Sequence, residues 1–400
     1  MMEARNNSNV ISATGLWSVA WELGIVFAGS TLPTPLYLIY RRAFGFSEIT
    51  LTLIYAVYVL GNLFALFVFG RLSDQVGRKR TTWAALAIAA LSTLTFIFTE
   101  GTWWLFPARL LSGLATGLAA GAATAWIAEL HPDGDKNRAA IIAAASNLAG
   151  LSLGPLMAGS LAQYGPWPLR LSYLIYLAML AAIVVMILRV RETVEQPVHK
   201  MSQVSLRPRI GVPREIQAPF VSPAVTAFGI FSLIGFYSAL VPSLLATSLQ
   251  RGSPAVSGSV VGGLFITAAL TTAFMRKPKS DSAMLYGLVL LLPSLACLVI
   301  SQGRQSMPFL LVGTVLGGIS AAFGYCGGLQ VINRISPDNR KSEVVSAYLI
   351  ACYAGNSVPV VGIGLLSRVS SSMTAHVVFA VVIGVFAVVG LVTGVKYRAS

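Results

Sequence analysis

Long apolar runs recur from one end of the sequence to the other, and they constrain the fold more than any other feature. Hydrophobic residues fill 56% of the 400 positions and charged residues only 10%, whereas soluble chains usually carry about 25% charged residues. A helix of roughly 20 residues crosses a hydrocarbon core about 30 Å thick. Twelve runs are long enough, and we predict transmembrane helices at 14–40, 48–70, 82–99, 103–128, 138–163, 169–190, 220–248, 255–275, 282–301, 307–330, 341–366 and 372–396.

Basic residues are unevenly distributed among the links between these helices. The net charge is +14, from 28 Lys and Arg against 14 Asp and Glu. With both termini on one side, 21 of the 28 cations fall on that side and only Arg109 lies within a span. Such a bias marks the cytoplasmic side, so we predict that both termini are cytoplasmic, and the charge needs no nucleic-acid partner. The six cations of the opposite side are Arg41, Arg42, Arg170, Arg251, Arg304 and Arg368.

The longest polar link divides the chain nearly in half. We predict an N-terminal six-helix bundle at 1–190, a cytoplasmic linker at 191–219 and a C-terminal six-helix bundle at 220–400. An internal repeat supports this division, because "ELHPDGDKNR" after the fourth span is echoed by "RISPDNR" after the tenth. Repeated halves are typical of transporters with a substrate site between them. The predicted fold is therefore an all-α integral membrane protein made of two pseudo-symmetric six-helix bundles.

The loop after the second predicted span reads "GRLSDQVGRKR" and starts at Gly70. It resembles the signature loop of the major facilitator superfamily, G-x-L-x-D-x-x-G-R-K/R-x, with Asp74, Gly77 and Arg78 also in matching positions. The resemblance implies a conformational latch between Asp74, Arg78 and Glu129, the acid at the inner end of the fourth span, that stabilises the outward-open state. Glycines permit sharp turns, and charge-assisted bonds between carboxylate and guanidinium can break when the halves rock apart. The alternative is that Glu129 simply pairs with a loop cation.

A second motif lies in the fifth predicted span. "GLSLGPLMAG" resembles the antiporter motif of proton-coupled drug exporters, G-x-x-x-G-P-x-x-G-G, through Gly150, Gly154, Pro155 and Gly159, whereas Ala158 replaces the first glycine of the final pair. Small residues let helices pack closely, and a proline bends a helix. The motif therefore suits a helix at a movable interface, although small residues at this spacing also occur in ordinary packing.

Two charged residues lie well inside predicted spans. Arg109 in "RLLSG" resembles the R-x-x-x-G motif of the family, which is tied to proton coupling, and charges in a membrane are costly and usually functional. Glu22 in "WSVAWELGIVF" could take up a proton and release it when an arginine or a cationic substrate approaches. We predict both as proton-coupling residues, at depths that do not require contact between them. The alternatives are that Arg109 extends to the outer surface near Trp103 and that Glu22 is an interfacial carboxylate held by water.

Sparse polar and aromatic side chains in otherwise apolar spans predict a substrate cavity. Aromatic walls with few hydrogen-bonding groups suit amphipathic organic molecules better than sugars. Each asparagine could equally bond a neighbouring helix. The cavity candidates are Tyr55, Tyr58, Asn62, Asn147, Tyr237, Tyr325 and Asn356.

These features together predict a proton-coupled antiporter that exports small lipophilic or cationic compounds across a bacterial cytoplasmic membrane by alternating access. Its partners are protons, the small-molecule substrate and the lipid bilayer, and we expect a monomer. His131, His199 and His376 lie in separate regions without nucleophile or metal-ligand spacing, so we expect no enzyme activity, catalytic residue, metal or cofactor. The alternatives are an exporter or importer of a specific metabolite with the same fold, such as a sugar, amino acid or organic acid, a membrane sensor, or a membrane enzyme.

Overall fold

Every regular secondary-structure element in the part of the chain that the structure describes is a helix. The computed structural model describes residues 2–70, 72–195, 210–274 and 280–398. Twelve helical segments there are long and apolar enough to cross a membrane, so the predicted all-α fold with twelve spans is confirmed. The α-helices are α1 (Met2–Thr31), α2 (Tyr37–Phe44), α3 (Glu48–Phe69), α4 (Leu72–Val76), α5 (Arg78–Ile97), α6 (Leu105–Leu130), α7 (Lys136–Tyr164), α8 (Leu171–Leu188), α9 (Gln217–Ala239), α10 (Val241–Thr247), α11 (Pro254–Phe274), α12 (Ser280–Gly303), α13 (Met307–Ile335), α14 (Lys341–Leu366) and α15 (Ser372–Arg398).

Prolines break two of the spans that the sequence predicted as continuous. The first span runs over Thr14–Phe44, but a short 3-10 helix at Thr34–Leu36 separates α1 from α2. The seventh, predicted to reach residue 248, stops at Ala239, and α10 follows as a separate helix with Pro242 in its first turn. Proline lacks the N–H group that would continue a helix, so both breaks follow from the sequence.

Helix α9 starts earlier than predicted. It begins at Gln217, inside the predicted linker, with Pro219 in its first turn. Proline is compatible with that position because the first-turn N–H groups have no partner within the helix. Residues 196–209 lie outside the described part of the chain, so the linker at 191–219 and the bundle limits at 1–190 and 220–400 stay predictions.

The two six-helix bundles meet along two helix pairs. In the first half α6 packs against α1, α3 and α5, and in the second half α13 packs against α9, α11 and α12. Between the halves, α3 contacts α14 and α7 contacts α11. Helices α3 and α11 are the second spans of their halves, while α7 and α14 are the fifth. The two contacts are therefore equivalent under the internal repeat.

The contact between α7 and α11 is made by main chain against main chain. A Cβ atom added at Gly258 would collide with the carbonyl oxygen of Pro155, and one at Gly159 would lie 2.5 Å from the carbonyl oxygen of Pro254. The Ser152 hydroxyl also donates a hydrogen bond of 3.1 Å to the carbonyl of Gly262. Glycine thus brings the halves together more closely than any larger residue would allow.

Further contacts between the halves extend to the end of the molecule that is remote from the chain termini, which we call the distal end. Tyr55 donates a hydrogen bond of 3.0 Å to the Asn356 side chain, from α3 to α14. The Ser253 hydroxyl donates one of 3.0 Å to Gln163 at the end of α7. A Cβ at Gly364 of α14 would collide with Thr52. The halves are therefore closely joined from the middle of the membrane to the distal end.

Gly113 offers a test of the packing inside the first half, because a Cβ there would overlap the carbonyl oxygen of Tyr58 across the α3–α6 contact. We expect Gly113→Ala to lower the free energy of unfolding by about 1–3 kcal/mol, the cost of overpacking a tight interior. At Gly362 a Cβ meets nothing within 4 Å, so Gly362→Ala should lose no stability. Thermal unfolding in detergent measures both, and equal losses would contradict the packing described.

Gly258 offers a test of the contact between the halves. Gly258→Val should hold α11 away from α7 and slow disulfide formation between cysteines placed at 163 and 253, whose native side chains lie 3.0 Å apart. Gly263→Val on the same helix is the matched control, since the nearest atom to a Cβ there is 3.9 Å away. The rates are compared in a variant without the native cysteines. A Gly258→Val rate like that of the control would show that this contact does not set the approach of the helices.

Candidate functional site

The structure brings Asp74, Arg78 and Glu129 together near the ends of the helices on the termini side. Arg78 binds Glu129 through two bonds, from Nη2 to Oε1 at 2.7 Å and from Nε to Oε2 at 3.2 Å. Its Nη1 bonds Asp74 and the Ser73 hydroxyl. The Arg78 side chain is 8% exposed, whereas that of Glu129 is 37% exposed. The guanidinium is thus the buried centre of the cluster, and its planar fork fits the Glu129 carboxylate.

The two glycines of this loop explain how the cluster is placed. Gly77 lies immediately before α5 with φ of 113°, a conformation that other residues rarely adopt, and it turns the chain between α4 and α5. A Cβ there would lie 2.6 Å from a carboxylate oxygen of Glu192. At Gly70 a Cβ would collide with the carbonyl oxygen of Leu66. Gly77 is therefore required by its backbone conformation, and Gly70 by the close approach of the Leu66 carbonyl.

Sequence reasoning missed the segment after α8, which binds directly to this cluster. The Glu192 carboxylate accepts hydrogen bonds of 3.0 Å from the backbone N–H groups of Arg78 and Lys79, at the start of α5, where a negative charge is favourable. The Thr193 hydroxyl bonds Glu129. An acid shortly after the sixth span was the only signal, and nothing in the sequence spacing joins it to a loop more than a hundred residues earlier.

Helix α7 carries the predicted antiporter motif and packs against α1 through it. A Cβ at Gly150 would collide with the carbonyl oxygen of Gly24, and one at Gly154 with that of Ala28. Pro155 leaves the carbonyl of Leu151 without its helical partner, and the Thr31 hydroxyl donates a bond of 3.0 Å to that carbonyl.

The remaining residues of the motif, Pro155 and Gly159, face α11, as described above. Through the motif, α7 therefore packs against α1 of its own half and against α11 of the other half.

Thr31 is a second residue that sequence reasoning missed, because its role depends on the Leu151 carbonyl, which is close in space but distant in the sequence.

Glu22 and Arg109 are separate buried groups of the first half. Glu22 is 0% exposed, and neither carboxyl oxygen has a hydrogen-bond partner in the described structure. Arg109 is 1% exposed. Its Nη1 donates a bond of 2.6 Å to the Ser30 carbonyl, and its guanidinium lies 4.5 Å from the Tyr58 ring centre. The structure thus places neither side chain at a membrane surface, and within the described residues no ion pair joins them.

Several cavity candidates surround Arg109. The Tyr55 ring also lies beneath the guanidinium, at 5.6 Å, while its hydroxyl bonds Asn356 of the other half. The Asn62 amide donates bonds of 3.0 Å to Thr116 and 3.4 Å to the Tyr58 hydroxyl. The structure therefore joins four candidates, Tyr55, Tyr58, Asn62 and Asn356, into one group near the middle of the membrane.

The other three cavity candidates lie elsewhere. Tyr237 is fully buried in the second half and shares a hydrogen bond of 3.1 Å with Thr314. Tyr325 stacks on Tyr348 with ring centres 6.3 Å apart. Asn147 is half-buried on α7. In the described part of the chain no group of three His, Cys, Asp or Glu residues could hold a metal ion.

The latch cluster generates a prediction about stability. Arg78→Ala removes the buried guanidinium that binds Glu129 and Asp74, and we expect a loss of about 1–3 kcal/mol, because charge-assisted hydrogen bonds are lost while solvent still reaches the remaining carboxylates. Arg138→Ala removes an exposed cation that pairs with Asp135 and should cost much less stability, because solvent screens an exposed pair. Chemical unfolding in detergent compares the two, and a small loss for Arg78→Ala would show that the cluster does not stabilise this conformation.

Comparisons with known proteins agree with this architecture. The sequence model of the Major Facilitator Superfamily matches residues 19–360. The chain is 15% identical to the peptide transporter POT solved with sulfate, with a TM-score of 0.74 over 97% of this chain and 94% of that one. For the nucleoside transporter NupG the identity is 13% and the TM-score 0.71, over 96% and 99% of the two chains. At these identities the likeness concerns the fold alone.

Several relatives in sequence are bacterial proteins named for drug efflux or drug resistance. The chain is 26% identical to a multi-drug resistance efflux pump PmrA homolog of Lactococcus lactis over 65% of each chain, so the match spans just under two thirds of that relative. It is 24% identical to the chloramphenicol resistance protein CraA of Acinetobacter baumannii, over 73% of this chain and 71% of that one. For the quinolone resistance protein NorA of Staphylococcus aureus the identity is 23%, over 74% and 76%. The chain belongs to the Major Facilitator Superfamily and is a multi-pass transporter of the cell membrane, not an enzyme.

Proposed function

We propose that this transporter is a proton-coupled antiporter that exports small lipophilic or cationic organic compounds by alternating access. The observation that carries the proposal is Glu22, a fully buried carboxyl group without a hydrogen-bond partner in the described structure. An unpaired charge in such a place is costly, so a proton must accompany Glu22 whenever its surroundings are closed. A group of this kind can exchange its proton only when the conformation changes.

In this proposal Glu22 carries the proton, and Arg109 is the charged group whose surroundings change when the halves move. Its buried guanidinium lies in the same half as Glu22, over the rings of Tyr55 and Tyr58. Tyr55 also bonds Asn356 across the interface. A movement of the halves would therefore change the surroundings of Arg109 directly, and with them the balance of charge in the first half.

The substrate class is supported by the lining of the central group and by the relatives. Aromatic rings with a few amide and hydroxyl groups favour amphipathic molecules. The relatives described above are named for multi-drug efflux and for resistance to chloramphenicol and to quinolones.

The antiporter motif supports exchange by rocking of the halves. Helix α7 packs on α1 through Gly150 and Gly154 and on α11 through Gly159. The carbonyl freed by Pro155 is bonded by Thr31 of α1, so α7 is fixed to its own half. Its contact with α11 rests mainly on the close approach of the main chains at Gly159 and Gly258, with one side-chain hydrogen bond from Ser152. We propose that this contact opens and closes during transport.

Proton release by reconstituted protein tests the function. When lipophilic cations and neutral drugs are added to protein in lipid vesicles, the wild type should release protons, and Glu22→Gln should still bind the compound without releasing them. Glu100→Gln is the control, because Glu100 is exposed in a loop. Equal release by wild type and Glu22→Gln would contradict the role of Glu22, and failure of every compound to release protons from the wild type would contradict drug and proton exchange.

A further inference from the structure

A small polar cavity lies inside the first half, enclosed by α1, α5, α6 and α8. Its volume, counted as the space open to the centre of a water molecule, is about 10 Å³, which is close to what one water requires. The surrounding bundle is apolar, but five residues around this space carry hydroxyl groups. They are Ser92, Thr93, Ser112, Tyr173 and Tyr176.

The cavity lies between the two buried charges. Val26 and Gly29 line it, one and two helical turns beyond Glu22 on the same face of α1. The Glu22 carboxyl is close enough to the Tyr176 hydroxyl to interact with it electrostatically, although the two are not hydrogen-bonded. On the opposite side, Ser112 follows Arg109 by one turn of α6, and Arg109 interacts electrostatically with Tyr173.

The hydroxyl groups around the cavity can accept hydrogen bonds from a water molecule. Ser92 donates its proton to the Ala108 carbonyl at 2.8 Å, and Thr93 donates to the Ala89 carbonyl at 2.7 Å, so their oxygen lone pairs are left for a donor. Tyr173 accepts a bond of 3.3 Å from Tyr40 and keeps its own proton to donate. A buried water needs two to four such partners, and the cavity offers both kinds.

Gly29 fixes the position of Tyr176. A Cβ at Gly29 would overlap the hydroxyl and the ring of Tyr176, so the tyrosine lies directly against the bare main chain of α1. Its hydroxyl is thereby held beside the cavity, on the helix face that continues from Glu22.

We propose that this cavity binds a water molecule that connects Glu22 to Arg109 through Tyr176 and Tyr173, so that the proton of Glu22 travels inside the first half and not through the substrate cavity. The connection is complete only when the Glu22 side chain turns toward Tyr176 and forms a hydrogen bond with its hydroxyl group. As the Tyr176 oxygen then accepts the Glu22 proton, its own hydroxyl proton passes to the water, which releases it to the solvent when the halves move and the cavity opens. Tyr176 thus ends neutral with the proton that came from Glu22, and Glu22 is left as a carboxylate. Arg109 is already a cation and accepts no proton; its charge offsets the new negative charge of Glu22. This inference rests on the proposed role of Glu22 as the proton carrier.

Infrared spectroscopy of the protein in lipid vesicles tests the water site without any substrate. The protonated Glu22 carboxyl should give a carbonyl band that is absent in Glu22→Gln and shifts on transfer to D2O. The rate at which the band shifts reports the exchange of the Glu22 proton for deuterium. In Tyr176→Phe this exchange should be roughly fivefold slower, as expected for the loss of one hydrogen bond from the path. Ala115→Val, which adds two methyl groups beside the cavity and keeps every hydroxyl, should slow it similarly by displacing the water.

Two matched controls make the result specific. Tyr348→Phe removes a buried tyrosine hydroxyl from the second half, and Ala387→Val enlarges a fully buried alanine there. Both should exchange at the wild-type rate. Slowing of the controls to the same extent, or wild-type exchange in both Tyr176→Phe and Ala115→Val, would overturn the water site.

The same experiment separates this inference from the proposed function. If Glu22→Gln removes no carbonyl band, Glu22 carries no proton in the wild type, and the proton carrier fails together with the path. If the band is removed but the two cavity variants exchange normally, only the water site is overturned, and the proton reaches Glu22 by another route.

Discussion

The contact of α7 with its two neighbours is the interaction on which the rest of the structure depends. On one side Gly150 and Gly154 admit the main chain of α1, and on the other Gly159 meets Gly258 of α11. In a bilayer, helices gain little from burying apolar side chains against each other, so close main-chain packing and hydrogen bonds must hold them together. Because α7 makes such contacts in both directions, it connects the interior of one half to the interface between halves.

The buried charged side chains of the described structure lie in the first half, whereas the second half has an exposed pair, Arg334 with Asp281. Glu22, Arg109 and the Arg78 cluster all belong to the first half. In the second half, the link that corresponds to the Gly70 loop includes residues outside the described structure, and its sequence "RKPKSD" lacks the two glycines. The pseudo-symmetry thus governs the packing, as the two equivalent helix pairs show, while the buried charges of the described structure are confined to the first half.

The sequence predicted the fold well because the bilayer leaves few choices. Apolar length defined the spans, and prolines explain the two that are broken, at Thr34–Leu36 and before Val241. The loop starting at Gly70 also predicted correctly that Asp74 and Arg78 lie beside Glu129. This succeeded because those residues are brought together by the packing of α5 on α6, neighbours in the chain.

Other features of the site could not be read from the sequence because they depend on distant neighbours. Glu192 bonds the start of α5, and Thr31 bonds the carbonyl freed by Pro155, but no spacing rule joins these residues. The cavity candidates were chosen by residue type alone. For that reason Tyr237, which bonds Thr314 inside the second half, could not be distinguished from Tyr55, which bonds across the interface.

The central claim is that proton binding at Glu22 drives the rocking of the halves. Two pairs of spin labels would measure this most directly, one at Tyr164 and Val369 on the distal end and one at Asp133 and Asn339 on the termini side, all of them exposed. On changing the pH the wild-type distances should change in opposite directions at the two ends, whereas Glu22→Gln should hold one arrangement at every pH. Distances that respond to pH equally in wild type and Glu22→Gln would contradict the account.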